Sequence, residues 1–282
     1  MNTIDTRWTC PTCMQLVQSP FCPRCGERPL AGNALSLRGV AAKIVHATTS
    51  IDGKVLRSFR QLLLRPGDLS IAYVEGRRMP YVAPFQLFLL ANAFFFAMQS
   101  LTGTNIFSST LDSHLHHQDW SDFAQTLVAR RLQALHTTLD LYAPIFDRAV
   151  VLYAKSLIIL MVLPFALLLP LVFAASRRPF MTHLVFAVHL YTFLLLLFSL
   201  ALLAAKAEAL LGGAGLASPR VDNALSVINL LACAAYLYAA SKPVYAPGRT
   251  MRVVATIVLA VLAGAIVIGY RFVLLLITLY AA

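Results

Sequence analysis

The alternation of apolar and polar positions changes character along this chain. Before residue 35 the sequence is short-range, polar and cysteine-bearing; over 36–80 apolar residues recur at helical spacing among cations; beyond 80 long apolar runs dominate. Five such runs, over about 82–101, 150–175, 181–205, 224–240 and 253–279, match the roughly 17–25 residues a helix needs to cross the hydrocarbon core. The last is too short for two crossings, so it predicts one tilted helix or a helix with an interfacial tail after Arg271. Between the first two runs, 102–148 is a loop. Within it Phe123, Leu127, Leu132, Leu135 and Leu139 fall at helical spacing after Ser121, a predicted cap.

The segment 52–100 joins the polar and apolar parts. Val55, Leu56, Phe59, Leu62 and Leu63 form an apolar stripe, with Lys54, Arg57, Arg60 and Gln61 on other faces. A basic amphipathic helix beside a membrane span lies in the interface, apolar side down. Pro66-Gly67 ends it, Asp68 is placed to cap a second helix over 69–75, and Gly76 to terminate that one. Arg57, Arg60, Arg65, Arg77 and Arg78 are expected to face anionic lipid headgroups. A weaker helix is expected over 36–49, after a linker at 26–34.

Composition agrees with this pattern. Of 282 residues, 59% are hydrophobic and 12% charged, against about 25% charged in a soluble domain. The predicted fold is therefore an all-α integral membrane bundle of about five transmembrane helices with a small N-terminal zinc ribbon. Its divisions are the ribbon at 1–30, juxtamembrane amphipathic helices at 31–80 and the bundle at 81–282. The net charge of +11 sits beside the apolar runs, so lipid is the expected partner and nucleic acid is not. No apolar h-region opens the chain, which predicts a cytosolic N-terminus. With that end inside, the inner segments carry sixteen Lys and Arg and the outer loops five, a positive-inside bias that puts the C-terminus outside.

Cys10-Pro-Thr-Cys13 and Cys22-Pro-Arg-Cys25 are two CxxC knuckles eight residues apart. Each turn brings two thiolates to one side, and four thiolates fill the closed tetrahedral site of structural zinc. No βαβ scaffold is present to make either knuckle a redox site. One structural zinc per chain is expected, with no position open for catalytic water.

The head Cys10-x-x-Cys13…Phe21-Cys22-x-x-Cys25-Gly26 is followed by the junction Leu62-Leu63-Leu64-Arg65-Pro66-Gly67. Tyr73-Val74-Glu75-Gly76-Arg77-Arg78-x-x-Tyr81-Val82-x-Pro84 and His183-Leu184-Val185-Phe186-Ala187-Val188-His189-Leu190 come after. This ordered string resembles the bacterial membrane proteins that carry the uncharacterised domain DUF3667. Glu27 departs from that pattern, where members commonly have Gln, without touching a metal ligand. The resemblance implies the architecture and a bacterial inner-membrane address, and no reaction.

Of the intramembrane polar residues, His189 stands deepest, about two turns into the third run. Such a residue marks a proton or ion path, or hydrogen-bonds a neighbouring helix, for instance through Asn92, Gln86 or Tyr191. His183 is expected near the interface. Gln86 and Asn92 should face other helices, and Lys155 and Arg271 should snorkel outward. His114, His116 and His117, near Asp112 and Asp119, read either as a weak transition-metal site or, the expected case, as a plain solvated loop. No Ser-His-Asp set, phosphate loop, dinucleotide motif or paired-carboxylate site appears. The chain therefore reads as a non-catalytic interaction or scaffold protein with a possible cytosolic protein partner. The alternative is a small transporter or channel using spans one and three.

Overall fold

The computed structural model describes residues 7–29, 53–104, 106–118 and 120–281. The helix expected over 36–49 lies outside them. In the head, β1 (Trp8–Thr9) pairs antiparallel with β2 (Leu16–Val17), Trp8 opposite Val17. Each CxxC turn closes the same way: Met14 N–H donates to the Cys10 carbonyl and Gly26 N–H to that of Cys22, both at 2.8 Å. Both closing residues have left-handed backbones, Met14 at φ 60° and Gly26 at φ 75°.

Helix α1 (Gly53–Leu64) carries the basic amphipathic pattern, and α2 (Asp68–Val74) follows the Pro-Gly break. Gly67, at φ 89°, stands at the N-cap, and Asp68 is the first helical residue and makes no side-chain cap. The expected cap is thus displaced by one residue. At the other end Gly76 N–H reaches the Tyr73 carbonyl and Arg77 N–H the Ala72 carbonyl, a Schellman closure that uses the left-handed freedom of Gly76.

Five helical stretches among the described residues are long and apolar enough to cross a membrane, so the chain is a multi-pass helical membrane protein. They are α3 (Pro84–Thr102); α6 (Leu139–Leu157) continuing through a 3₁₀ turn, Ile158–Met161, into α7 (Val162–Val172); α8 (Phe180–Leu210); α9 (Pro219–Tyr245); and α10 (Arg249–Ala281). The second begins at Leu139 rather than near 150. Asp140, Asp147 and Arg148 interrupt the apolar run there, yet Tyr142, Phe146, Val150 and Ala154 recur every four residues and are all buried. The 3₁₀ turn precedes Pro164, whose missing N–H leaves the Leu160 carbonyl without its α-helical donor.

Helix α8 is the central column, packed by α3, α7, α9 and α2. Most of its circumference is buried, and its apolar residues run all round rather than along one stripe. At the end of the bundle away from the head, α4 (Leu111–His116) and α5 (Ser121–Ala134) cover a second core made by Phe146, Val150, Leu275 and Leu279. Ala124 and Val128 face that core, whereas Phe123 of the expected stripe is exposed. Ser121 does not cap its helix: its hydroxyl bonds the backbone of Gln118. The last helix runs unbroken past Arg271, and Tyr142 Oη holds its end by donating to the Leu279 carbonyl at 3.0 Å.

Candidate metal centre and junction

Cys10, Cys13, Cys22 and Cys25 present four Sγ atoms, all within 4.8 Å of one another. The closest pairs, Cys10–Cys25 and Cys13–Cys22, stand 3.4 Å apart. A tetrahedral ion with metal–sulfur bonds of about 2.3 Å places its sulfurs about 3.8 Å from one another, so the cluster fits such an ion with little movement. Burial drives the Cys25 thiol up to about 12. Burial acts on Cys22 in the same direction, but backbone N–H donors from Cys25 and Arg24 outweigh it and bring that thiol down to about 7. A cation would hold all four as thiolates. The set is a four-sulfur cluster able to hold a metal ion, and among the described residues no His, Asp or Glu joins it.

The residue after the second knuckle carries the next connection. Glu27 is buried, and its Oε2 accepts from Thr12 Oγ1 at 2.8 Å, Arg78 N–H at 2.9 Å and Met79 N–H at 3.1 Å. One carboxylate oxygen therefore joins the first knuckle, the second knuckle and the loop leading into α3. Charged acceptors strengthen each bond, and the two backbone donors have no helical partner to replace it. Gly26 packs against the same loop: a Cβ there would stand 3.1 Å from Met79 Cε. Glu27 is thus the clamp between the head and the loop that leads into the bundle. Sequence gives little sign of it beyond a lone acid beside the metal turn.

The junction itself is folded into the bundle. Leu62 is buried and Phe59 half-buried against the main core, while Leu56, Leu63 and Leu64 point outward with Arg57, Arg60 and Arg65. The apolar stripe of α1 is thus divided between a protein-facing and an exposed part. Ser58, one turn before Leu62, is buried and accepts from Val82 N–H at 2.9 Å, fastening α1 to the entrance of α3. Gly67 lies so close to α9 that a Cβ would meet the Ala240 carbonyl oxygen at 2.4 Å. Of the two arginines before α3, Arg77 pairs with Glu75 at 2.7 Å. Arg78 folds back onto the end of α2, donating to the Tyr73 carbonyl and lying 4.5 Å over the Tyr73 ring.

His189 reaches this same layer. Its Nδ1 bonds Ser70 Oγ of α2 at 2.8 Å, both groups fully enclosed. The partner is neither Asn92, Gln86 nor Tyr191, because α2 inserts where those side chains were expected to close the bundle. His183 is buried rather than interfacial: Nδ1 bonds Tyr245 Oη at 3.0 Å, and that ring is stacked between His183 and Phe173. Asn92 Nδ2 donates to the Lys155 carbonyl at 3.3 Å, and Gln86 lines an apolar cavity described below. Asn92, His183 and His189 thus each hydrogen-bond a different neighbour: the Lys155 carbonyl, Tyr245 and Ser70. Lys155 is exposed partway along its span, and Arg271 bonds Ser109 Oγ at 2.8 Å instead of snorkelling.

In the loop at the far end, His114 is a core residue. Trp120 Nε1 donates to its Nδ1 at 3.2 Å, and burial, with Arg271 nearby, lowers it to about 4. His116 pairs with Asp112 at 3.0 Å. Asp119 lies outside the described residues, and among those described only the four cysteines form a metal-ready group.

Residues 52–96 match the model of a family described as a protein of unknown function, DUF3667, which supports the resemblance over α1, α2 and the first part of α3. No curated protein and no solved structure matches the chain.

Proposed function

We propose that this is a non-catalytic, multi-pass protein of the bacterial inner membrane whose zinc-bearing head is held as a fixed platform for a cytosolic protein partner. The observation that carries the reading is the Glu27 clamp together with what the clamped head leaves outward: Met14, Leu16 and Phe21 are 74%, 62% and 51% exposed. Large apolar side chains displayed by a very small, metal-stapled unit suit an interaction surface. The four thiolates would hold one zinc, which fixes the two knuckles and leaves no coordination position for water. The head end faces the cytosol and the C-terminus the outside, as the cation bias favours. Arg57, Arg60 and Arg65, outward beside Leu56, Leu63 and Leu64, then meet anionic headgroups while the leucines enter the acyl boundary.

A photo-crosslinker placed at Leu16 or Phe21 tests the platform. A defined protein adduct is expected in wild type and is expected to disappear in Cys22→Ser. Proton- or solute-coupled flux by the purified protein in proteoliposomes, abolished in His189→Ala, would overturn the reading in favour of transport.

A further inference from the structure

An apolar cavity of about 220 Å³ opens between α2, α3, α7 and α8. Pro84, Gln86, Leu163, Met181, Val185 and Val188 line it, together with Tyr73 at the head end. Met181 is the second residue of α8 and Val188 lies seven residues further, so the cavity extends about 10 Å into the bundle at ~1.5 Å per residue. Its shape and depth follow the span direction, and its walls are almost wholly hydrocarbon.

Its polarity is confined to one end. Tyr73 and Pro84 also border a tight cleft that reaches Arg77, Tyr81 and His189. His189 is 1% exposed, and its Nε2, the nitrogen not bonded to Ser70, has no partner. Arg78, over the Tyr73 ring, keeps a buried Nη2 without a hydrogen bond. Arg77 is engaged by Glu75, but that pair is half exposed and weakly held. An apolar slot with Arg77 in the cleft at its interfacial end, and Arg78 on the Tyr73 ring beside it, has the polarity of an amphiphile with an anionic head.

We infer that this groove holds one acyl chain of an anionic phospholipid, with the phosphate bound at Arg77 beside Arg78. A dry apolar cavity within the membrane region fills with hydrocarbon rather than water. The arginines select which lipid supplies it, since guanidinium and phosphate oxygens match in geometry. The inference rests on the membrane reading above, but not on which side the head faces.

The test uses the full-length, zinc-loaded protein in symmetric nanodiscs, so topology does not enter. Leu163→Trp places a fluorophore at the groove edge, read as the difference from wild type, whose own tryptophans are Trp8 and Trp120. Quenching by brominated-chain phosphatidylglycerol should half-saturate at about fivefold lower mole fraction than by brominated phosphatidylcholine, the preference expected for one cation. Arg77→Gln should erase the preference and leave the quenching. Leu171→Trp, 75% exposed on α7, should be quenched by both lipids without that preference. Excess inorganic phosphate should not compete. Equal half-saturation by the two lipids overturns the proposal, as does the same preference at Leu171→Trp, which would mark general surface enrichment. Displacement by inorganic phosphate overturns it too, because the cations would then bind phosphate without the chain. As a second readout, native mass spectrometry should find retained phosphatidylglycerol in wild type and none in Val185→Trp, which fills the groove.

Discussion

Replacing Glu27 by alanine removes the three contacts that its Oε2 accepts, from Thr12 Oγ1, Arg78 N–H and Met79 N–H, along with a long one at 3.4 Å from the adjacent Arg28 N–H to Oε1. Thr12 is half exposed and recovers a bond to water. The Arg78 and Met79 amides are the larger loss. Arg78 N–H retains a contact to the Gly76 carbonyl at 3.0 Å, whereas Met79 N–H has no second acceptor among the described backbone bonds. Hydrogen bonds to a charged acceptor contribute about 1.5–3 kcal/mol each, and water entering the vacated space offsets part of that. A net loss of about 3 kcal/mol for head docking is expected, which is on the order of 100-fold in the opening equilibrium. Hydrogen–deuterium exchange reads this at Met79: its amide should exchange on the order of 100-fold faster in Glu27→Ala. Glu27→Gln keeps a carbonyl oxygen but not the charge, so its change should be on the order of fivefold. Zinc content should remain at one equivalent in both variants, since no ligand is altered. Unchanged Met79 exchange in Glu27→Ala would refute the clamp, and loss of zinc with it would show that Glu27 serves the metal turn instead.

Metal analysis of the reduced protein should find one zinc per chain, and Cys22→Ser should abolish it; a folded, reduced, zinc-free protein would refute the site. Gly67→Ala combines a left-handed residue at φ 89° with a Cβ placed 2.4 Å from a backbone oxygen, so a loss of about 2–4 kcal/mol is expected in thermal unfolding. Gly103→Ala, at φ 69° with open space around it, should cost about 1 kcal/mol. His114 is held well below its ordinary value, near 4, so the folded state favours its neutral form. Its contribution is complete above about pH 6.5 and is lost as pH falls toward 4, by about 3 kcal/mol in all; His114→Gln should flatten that acid limb of the melting profile. A phosphatase active only outside the cytosol should work when fused after residue 282 and fail when fused at Gly248; activity at Gly248 would invert the proposed topology.

What could be read from sequence is what local chemistry determines. Apolar length alone marks five crossings, because the hydrocarbon core sets the minimum. Two knuckles at short spacing announce a sulfur site, because each turn brings its own pair together. Hydropathy alone sets the start of α6 too late because Asp140, Asp147 and Arg148 lower it locally, although the four-residue recurrence of Tyr142, Phe146 and Val150 carries the helical signal. Partners across the fold were not legible. Ser70 and His189 are 119 residues apart, and Glu27 lies 51 residues from Arg78. No periodicity specifies which helix face meets which. Ser58 offers a partial exception, since a small hydroxyl one turn from Leu62 breaks the apolar stripe on the face that docks.

The position of Ser70 changes what the junction is. A short interfacial helix resting on lipid would have no reason to bury a hydroxyl, and water or headgroups would satisfy it. Here Ser70, Leu69 and Ala72 are buried and Ser70 meets a histidine of the central helix, so α2 belongs to the bundle core. Burying that pair unmatched would cost on the order of 1–3 kcal/mol per group, so the bond sets the register of α2 against α8 as well as adding stability. Gly67 then fixes α2 against α9, and Glu27 fixes the head against the loop that follows α2. Head, junction and two spans are thereby linked through a seven-residue helix. Any partner that pulls on the exposed face of the head acts through Glu27 and the Arg78–Met79 loop on the end of α2, and so on Tyr73, which α2 contributes to the apolar groove.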